Sequence, residues 1–376
     1  MIYRAALHGR HHCEAQMRQF DTPPCANFAM ADILRRAQGD AVAACGLGPS
    51  EHPYRVIASG AYWRLRCYGD REGSPSLLVV AAPIKRPYIW DLAPSVSAIR
   101  YCLKQGLNVH LLEWMPASSD RVNRGFDACA IAIGDCVTRM SDSAADLKPL
   151  LIGHSLGGTL AAIFAALAPE SVRGLVLLCA PLCFAPSTSR FRDALVSLVP
   201  STLSDVDPVP GSLLSHMSAL SSPDTFIWSR LMDAALSIAD PHAMEIHARV
   251  ERWALDEVAL PGRLVHQMIE WLYRENRFCR GLLSVRERRI GPSSVSAPTL
   301  AVVNTTDEVA LPASVAPFVD AVATTDARII EYPGEAGVAL QHLAILIGRE
   351  AQAQVWPQIV SWIRSRGQAP TSYSTV

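Results

Sequence analysis

The stretch Gly153-His154-Ser155-Leu156-Gly157, with Gly158 after it, constrains this chain more than any other. It follows the apolar run Pro149-Leu150-Leu151-Ile152 and precedes Thr159-Leu160-Ala161-Ala162-Ile163-Phe164. A short apolar run closed by glycine reads as a buried strand, and the small and apolar residues beyond it read as a helix. The segment is therefore expected to fold as strand, tight turn and helix, with the Ser155 hydroxyl at the turn. Small residues allow the backbone to turn sharply, which lifts Oγ clear of the sheet. The first turn of the helix also leaves N–H groups unpaired, and these can face a negatively charged oxygen. An ordinary glycine-rich strand-to-helix turn would carry the same letters. The two readings separate on whether partners for the serine follow.

They do, in order. Pro298-Thr299-Leu300-Ala301-Val302-Val303-Asn304 reads as a buried strand, and Thr305-Thr306-Asp307 is a polar turn after it. Ala327-Arg328-Ile329-Ile330-Glu331-Tyr332 reads as a further strand, broken by Pro333-Gly334-Glu335, and the loop beyond carries His342. Serine, then aspartate, then histidine is the chain order of the α/β-hydrolase triad. The chemistry requires all three. A serine hydroxyl is a poor nucleophile near neutral pH, so an imidazole must accept its proton. A buried carboxylate fixes the imidazole tautomer and stabilises the imidazolium. Asp307 as a simple turn residue and His342 as an ordinary loop histidine are the plainer alternatives. His216, His242, His247 and His266 rank below His342 because they precede Asp307.

Strand and helix signals alternate from Tyr54 onward. Tyr54 to Ile57, Trp63 to Tyr68, Ser76 to Ala82, Val109 to Leu112, Leu150 to Gly153 and Leu175 to Leu178 read as strands. Ser76 to Ala82 is continuously apolar, as for a strand covered on both faces. A helix is predicted around Val96, Ile99 and Leu103, closed by Gly106, and another over Val122 to Met140. The fold class is α/β, a mostly parallel sheet with helices on both faces. Between Pro181 and Pro298 the alternation gives way to helical periodicity with scattered prolines. Trp228, Met232, Trp253, Met268, Trp271 and Leu272 there are expected to form the interior of a helical cap, with at most a few lining a substrate site. The division is then an irregular or helical extension over 1–53, a core over 54–181 and 298–366, a cap over 182–297 and a flexible tail over 367–376. In the extension only Met30 to Arg36 shows a short amphipathic pattern.

Of 376 residues half are hydrophobic and 18% charged, so a large core is expected rather than disorder. A net charge of −1 offers no electrostatic reason to expect nucleic acid. No apolar stretch has signal-peptide or transmembrane length. The ten cysteines lie mostly in apolar segments, with Cys102, Cys129, Cys136 and Cys179 as buried small hydrophobes, so free thiols in a reducing cytoplasm are the simpler account. His8, His11, His12 and Cys13 lack a second ligand pair and read as a solvated tail rather than a metal site. No cofactor or metal is expected.

The segment Pro83-Ile84-Lys85-Arg86-Pro87-Tyr88-Ile89-Trp90-Asp91-Leu92, with Ser97, Gly106 and Trp114, resembles the region after the third strand of the polyhydroxyalkanoate synthases, the PhaC family. Gly348-Arg349-Glu350-Ala351-Gln352 and Val355-Trp356-Pro357-Gln358-Ile359 are similar to that family's closing helix. His342 falls where its catalytic histidine would, and Asp307, followed by Val309 and Pro312, matches its acid turn. The likeness runs over roughly residues 50–365 apart from most of the cap. It implies an α/β-hydrolase fold and acyl transfer through an acyl-enzyme. One departure bears on the outcome: the synthases carry cysteine where this chain has Ser155. An oxygen ester is less activated than a thioester, so it suits release to water or to one alcohol better than repeated chain transfer. The expected roles are Ser155 as nucleophile, His342 as general base, and the Leu156 N–H as oxyanion donor. Ile84 is the candidate second donor, because Pro83 has no N–H. The expected substrate is an acyl ester, or a thioester of coenzyme A or an acyl carrier. Arg274, Arg277, Arg280, Arg286, Arg288 and Arg289 form either a landing site for its phosphates or a solvated face paired with Glu270, Glu275 and Glu287. Hydrolysis, acyl transfer or polymer synthesis, and ligand binding without catalysis stay open, as does a homodimer.

Overall fold

A computed structural model describes residues 24–117, 123–141, 148–199 and 205–367. The His8–Cys13 cluster and nearly all of the tail lie outside them. The first element is helix α1, Pro24–Val42, longer than the short stretch predicted around Met30 to Arg36. Tertiary contacts hold it. Both carboxylate oxygens of buried Asp32 accept N–H bonds, at 3.1 Å from Gly211 and 2.8 Å from Ser212, and Arg35 Nε reaches Glu257 at 3.0 Å.

The chain then enters an eight-stranded sheet. Its elements are β1 (Arg55–Ser59), β2 (Trp63–Cys67), β3 (Ser76–Val80), α2 (Ala98–Lys104), β4 (Asn108–Trp114), α3 (Phe126–Ser141), β5 (Leu150–His154), α4 (Leu156–Leu167) and β6 (Gly174–Leu178). The cap helices follow as α5 (Arg190–Leu198), α6 (Gly211–Ser221), α7 (Ser229–Ser237), α8 (Pro241–Ala254) and α9 (Gly262–Gln267). A small hairpin, β7 (Leu283–Val285) and β8 (Arg288–Ile290), leads back to β9 (Thr299–Asn304), β10 (Ala327–Tyr332) and the closing helix α10 (Trp356–Gly367). α3 starts four residues later than periodicity predicts, at Phe126, whose N–H is received by Gln267 Oε1 at 2.7 Å.

The strand order is β1-β2-β4-β3-β5-β6-β9-β10. The first two pairings are antiparallel and the remainder parallel, as the strand–helix alternation predicts. Side chains alternate between two apolar layers at the strand period of two. Leu78, Val80 and Leu151 face the layer containing α3 and α4, while Leu77, Val79 and Ile152 face that containing α2 and α10. Burial on both faces explains why these strands read as unbroken apolar runs.

The cap has its own small apolar cluster, Phe191, Leu195, Val199, Val209, Leu260, Val265 and Ile269. Two expectations fail in it. Trp228 and Met232 are exposed rather than interior, whereas Met268 and Leu272 are buried as predicted. Nor are all cysteines free. Cys183 and Cys279 form a disulfide across 96 positions, where the chain leaves the sheet for the cap and where it returns. Tertiary folding brings these ends together, and the spacing alone carries no sign of it. Cys102, Cys129, Cys136 and Cys179 are buried free thiols, as expected. Among the described residues no helix is long and apolar enough to cross a membrane.

Candidate active site

Strand β5 is buried throughout and ends directly at Ser155, whose φ of 54° and ψ of −135° lie outside the regions a non-glycine residue favours. The surrounding glycines permit this turn by their small size. A Cβ on Gly153 would stand 2.5 Å from Gly158 N, and one on Gly157 would stand 2.2 Å from Val80 O. The Ser155 N–H donates to Leu178 O at 3.0 Å, tying the turn to β6. α4 starts at Leu156, so the Leu156 N–H belongs to the first turn, where no intrahelical acceptor exists.

The structure brings Ser155, His342 and Asp307 together from three loops at the ends of parallel strands. His342 Nε2 lies 2.8 Å from Ser155 Oγ, and His342 Nδ1 lies 2.7 Å from Asp307 Oδ2. An ionised carboxylate only accepts, so Nδ1 carries the proton and Nε2 is free to accept from the hydroxyl. Asp307 is 1% exposed. Burial alone would push its carboxyl up, but the His342 ring and the N–H groups of Val309 and Ala310 outweigh that and hold it below its ordinary value. The Val309 N–H donates to Oδ1 at 2.8 Å, which leaves Oδ2 to the imidazole.

Sequence reasoning missed two supporting residues. His154 Nε2–H donates to the His342 carbonyl at 2.7 Å, with the two rings 4.7 Å apart. Burial, with His342 alongside, pushes the His154 pKa down to about 3, so this ring stays neutral. Asn304, at the end of β9, joins the acid turn to the histidine loop. Its Nδ2 donates to Gln341 O at 2.9 Å and its Oδ1 accepts from Thr306 N at 2.9 Å. The only sequence signal for either was position, one residue before the serine and three before the aspartate.

Above Ser155 lies a cavity of about 680 Å³. Ser155, Leu156, His342 and Ile84 line it together with Phe184, Phe191, Phe226, Met268, Leu272 and Tyr273 from the segment between β6 and β7. More of that segment's large apolar side chains border the cavity than the few expected. Of the histidines ranked lower, only His216 reaches it. None of the six arginines at the end of the cap lines it. Arg277 pairs with Glu275 and stacks on Trp271, and Arg288 and Arg289 bond to the carbonyls of Leu167 and Gly281. Arg280, Arg286, Arg288 and Arg289 are exposed, and with the Arg277–Glu275 pair this fits a solvated, partly paired face; of these side-chain contacts only that of Arg288 reaches out of the cap segment, to α4.

Residues 98–328 match the alpha/beta hydrolase fold family. The chain is 27% identical over 299 residues to a poly(3-hydroxyalkanoate) polymerase subunit PhaC of Haloferax mediterranei, covering 78% of this chain and 60% of that protein. It is 25% identical over 325 residues to the PhaC subunit of Allochromatium vinosum, covering 85% and 90%. The chain thus spans about three fifths of the archaeal relative. Among solved structures it resembles a monoacylglycerol lipase of Paleococcus ferrophilus, with 19% identity, a TM-score of 0.50, and coverage of 80% of this chain and 99% of the lipase. It also resembles DcsB in complex with a substrate analogue, with 19% identity, a TM-score of 0.53, and coverage of 84% and 99%. With a mostly parallel sheet, a sharp serine-bearing turn after its fifth strand and relatives of this kind, the chain is an enzyme of the alpha/beta hydrolase fold family and a PhaC-like member of it.

Proposed function

We propose that this enzyme forms an acyl-enzyme on Ser155 and releases the acyl group to water, hydrolysing an ester or thioester with an apolar acyl chain. Ser155 Oγ attacks the substrate carbonyl carbon while His342 Nε2 takes its proton. Asp307 holds the resulting imidazolium. The carbonyl oxygen becomes an oxyanion to which the Leu156 N–H donates, with the Ile84 N–H as the second donor. His342 then gives its proton to the departing alkoxide or thiolate. It next takes a proton from the incoming water, which attacks the acyl carbon, and gives that proton to Ser155 Oγ as the acyl–oxygen bond breaks and the acid leaves. The single observation that supports this reading is the unbroken pair of contacts, 2.8 Å and 2.7 Å, from Oγ through the imidazole to a buried carboxylate. The apolar walls of the cavity above it suit a hydrocarbon chain.

A second reading is transfer of a hydroxyacyl group from a thioester of coenzyme A or an acyl carrier to an alcohol, as the name of the PhaC relatives suggests. Product analysis on 3-hydroxyacyl-CoA and p-nitrophenyl esters of graded length separates the two. Free acid with free thiol or nitrophenol supports hydrolysis, and a new ester or polymer supports transfer. Ser155→Ala is expected to lose at least about 10⁴-fold in turnover and all labelling by a fluorophosphonate while remaining folded. Wild-type labelling of that variant would remove Ser155 as nucleophile.

A further inference from the structure

The loop that delivers His342 is held by a side chain from the cap. Asp233 lies on α7, and its side chain points into the protein. Its Oδ1 accepts the N–H groups of Gly337 and Val338 at 2.6 and 3.1 Å, and its Oδ2 accepts that of Ala339 at 2.7 Å. Gly337 and Ala339 have φ of +81° and +59°, so the backbone curls to converge its N–H groups, the kind of concavity that binds an anion. A left-handed alanine is unfavourable by itself and needs such a clamp to persist. His247, on α8, completes the arrangement with Nδ1 at 3.1 Å from Asp233 Oδ2. Asp233 and His247 are both buried. Burial would push the Asp233 carboxyl up, but the bonds from His247, Ala339, Gly337 and Val338 outweigh it and leave it lowered. Three residues beyond the clamp stands His342, and the Leu343 N–H closes back on Leu340 O at 2.8 Å, so little slack separates them.

We infer that Asp233 is a positioning residue for the reaction: from the cap it clamps the 337–339 backbone so that the His342 imidazole is presented to Ser155 Oγ. This rests on the triad reading above. It also gives the cap a part in catalysis beyond covering the cavity, since a displaced α7 would release the histidine loop. The substrate chamber does not touch Asp233, so loss of the clamp should act on the chemical step and leave binding alone.

The test compares Asp233→Asn, His247→Gln, Ser155→Ala and wild type at a temperature well below every melting transition. Trp362→Phe, in α10 and away from the site, serves as a destabilised control. The readouts are kcat and KM for a p-nitrophenyl ester and the rate of fluorophosphonate labelling. An amide cannot serve the three N–H groups as a carboxylate does. Because a misplacement of about 1 Å costs up to about 10²-fold, Asp233→Asn is expected to lose about 10–100-fold in kcat and in labelling rate, with KM within about twofold. His247→Gln loosens the carboxylate but leaves it seated, and is expected to lose about threefold in kcat alone. Trp362→Phe should lower Tm with kcat unchanged. Wild-type kcat and labelling in Asp233→Asn, with only a lower Tm, overturns the inference. Should that variant not fold, wild-type kcat in His247→Gln overturns it instead. If Ser155→Ala still turns over, the triad reading fails first; if it is dead while Asp233→Asn is fully active, only the positioning role fails.

Discussion

Two helices border the site in opposite ways. All twelve residues of α4, from Leu156 to Leu167, are buried, because the helix lies under the sheet with apolar neighbours all round. α7 is turned inside out. Leu231, Met232 and Leu236 are 57%, 61% and 64% exposed, while its buried residues are Asp233 and Ser237. The sheet side thus holds Ser155 through packing and the close approach of glycines to backbone. The cap side holds the histidine loop through a few directed hydrogen bonds. Packing is spread over many small contributions and tolerates little change anywhere. A polar clamp concentrates its effect in one carboxylate and leaves the rest of its helix free to vary.

The largest effect that tests this contrast is at the acid on the sheet side. Asp307→Asn keeps the shape but can present an amide N–H to Nδ1, which favours the wrong imidazole tautomer. About 10⁴-fold is expected to be lost from kcat, with little change in KM. That is well beyond the loss expected from the cap clamp. Steady-state kinetics on one ester decide it, and an equal loss at Asp307 and Asp233 would erase the distinction between a group that acts on the imidazole and one that places it.

A smaller effect is expected at the two ends of the cap. The Cys183–Cys279 disulfide closes a long loop between them, with Phe184 N also bonded to Asn276 Oδ1 at 2.8 Å. Cross-linking so long a loop restricts the unfolded chain, so Cys183→Ala with Cys279→Ala should lower stability by about 2–4 kcal/mol. Because Asp233 still holds the histidine loop, kcat below the transition should stay within about twofold. Urea denaturation with and without reductant, alongside kinetics, checks both halves. A large loss of kcat would mean that the cap's covalent root, and not its polar clamp, governs the site.

Much of the sheet domain was legible because its code is local. The apolar run at β3 and the glycines around Ser155 each follow from residues within a few positions of one another, and Asp307 and His342, though 35 positions apart, are each marked by the strand and turn just before them. What stayed hidden depends on partners far apart in the chain. Asp32 anchors α1 to a helix start some 180 residues away, and nothing near Met30 announces a helix of that length. Asp233 reads as an ordinary helical carboxylate until the fold sets a loop 104 residues later against it. In the cap, periodicity did find helices but misjudged which stripe turns inward. A stripe of large apolar residues is usually the buried one, which is why Trp228 and Met232 read as interior. The competing stripe, Asp233 and Ser237 four residues apart, wins here because Asp233 accepts backbone N–H groups of the 337–339 loop that must be satisfied in a dry site, while the Ser237 hydroxyl donates to the Asp233 carbonyl at 2.7 Å.

The inversion of α7 gives the smallest and sharpest prediction. Leu231→Gln with Leu236→Gln replaces two side chains that already lie mostly in water, and leucine and glutamine have nearly equal helix propensity. No cavity forms and no donor or acceptor is buried, so the stability change in urea should stay within about 0.5 kcal/mol and kcat should not move. Ala161→Gln, in α4, adds four heavy atoms, three of them an amide, to a site with no exposed surface, and should destabilise by more than about 3 kcal/mol. The two measurements together state how differently the helices are used. A loss above about 2 kcal/mol in the α7 pair would show that its apolar face is covered in solution. Dependence of that loss on protein concentration would identify the cover as a second copy of the chain, since a contact within one molecule is indifferent to dilution.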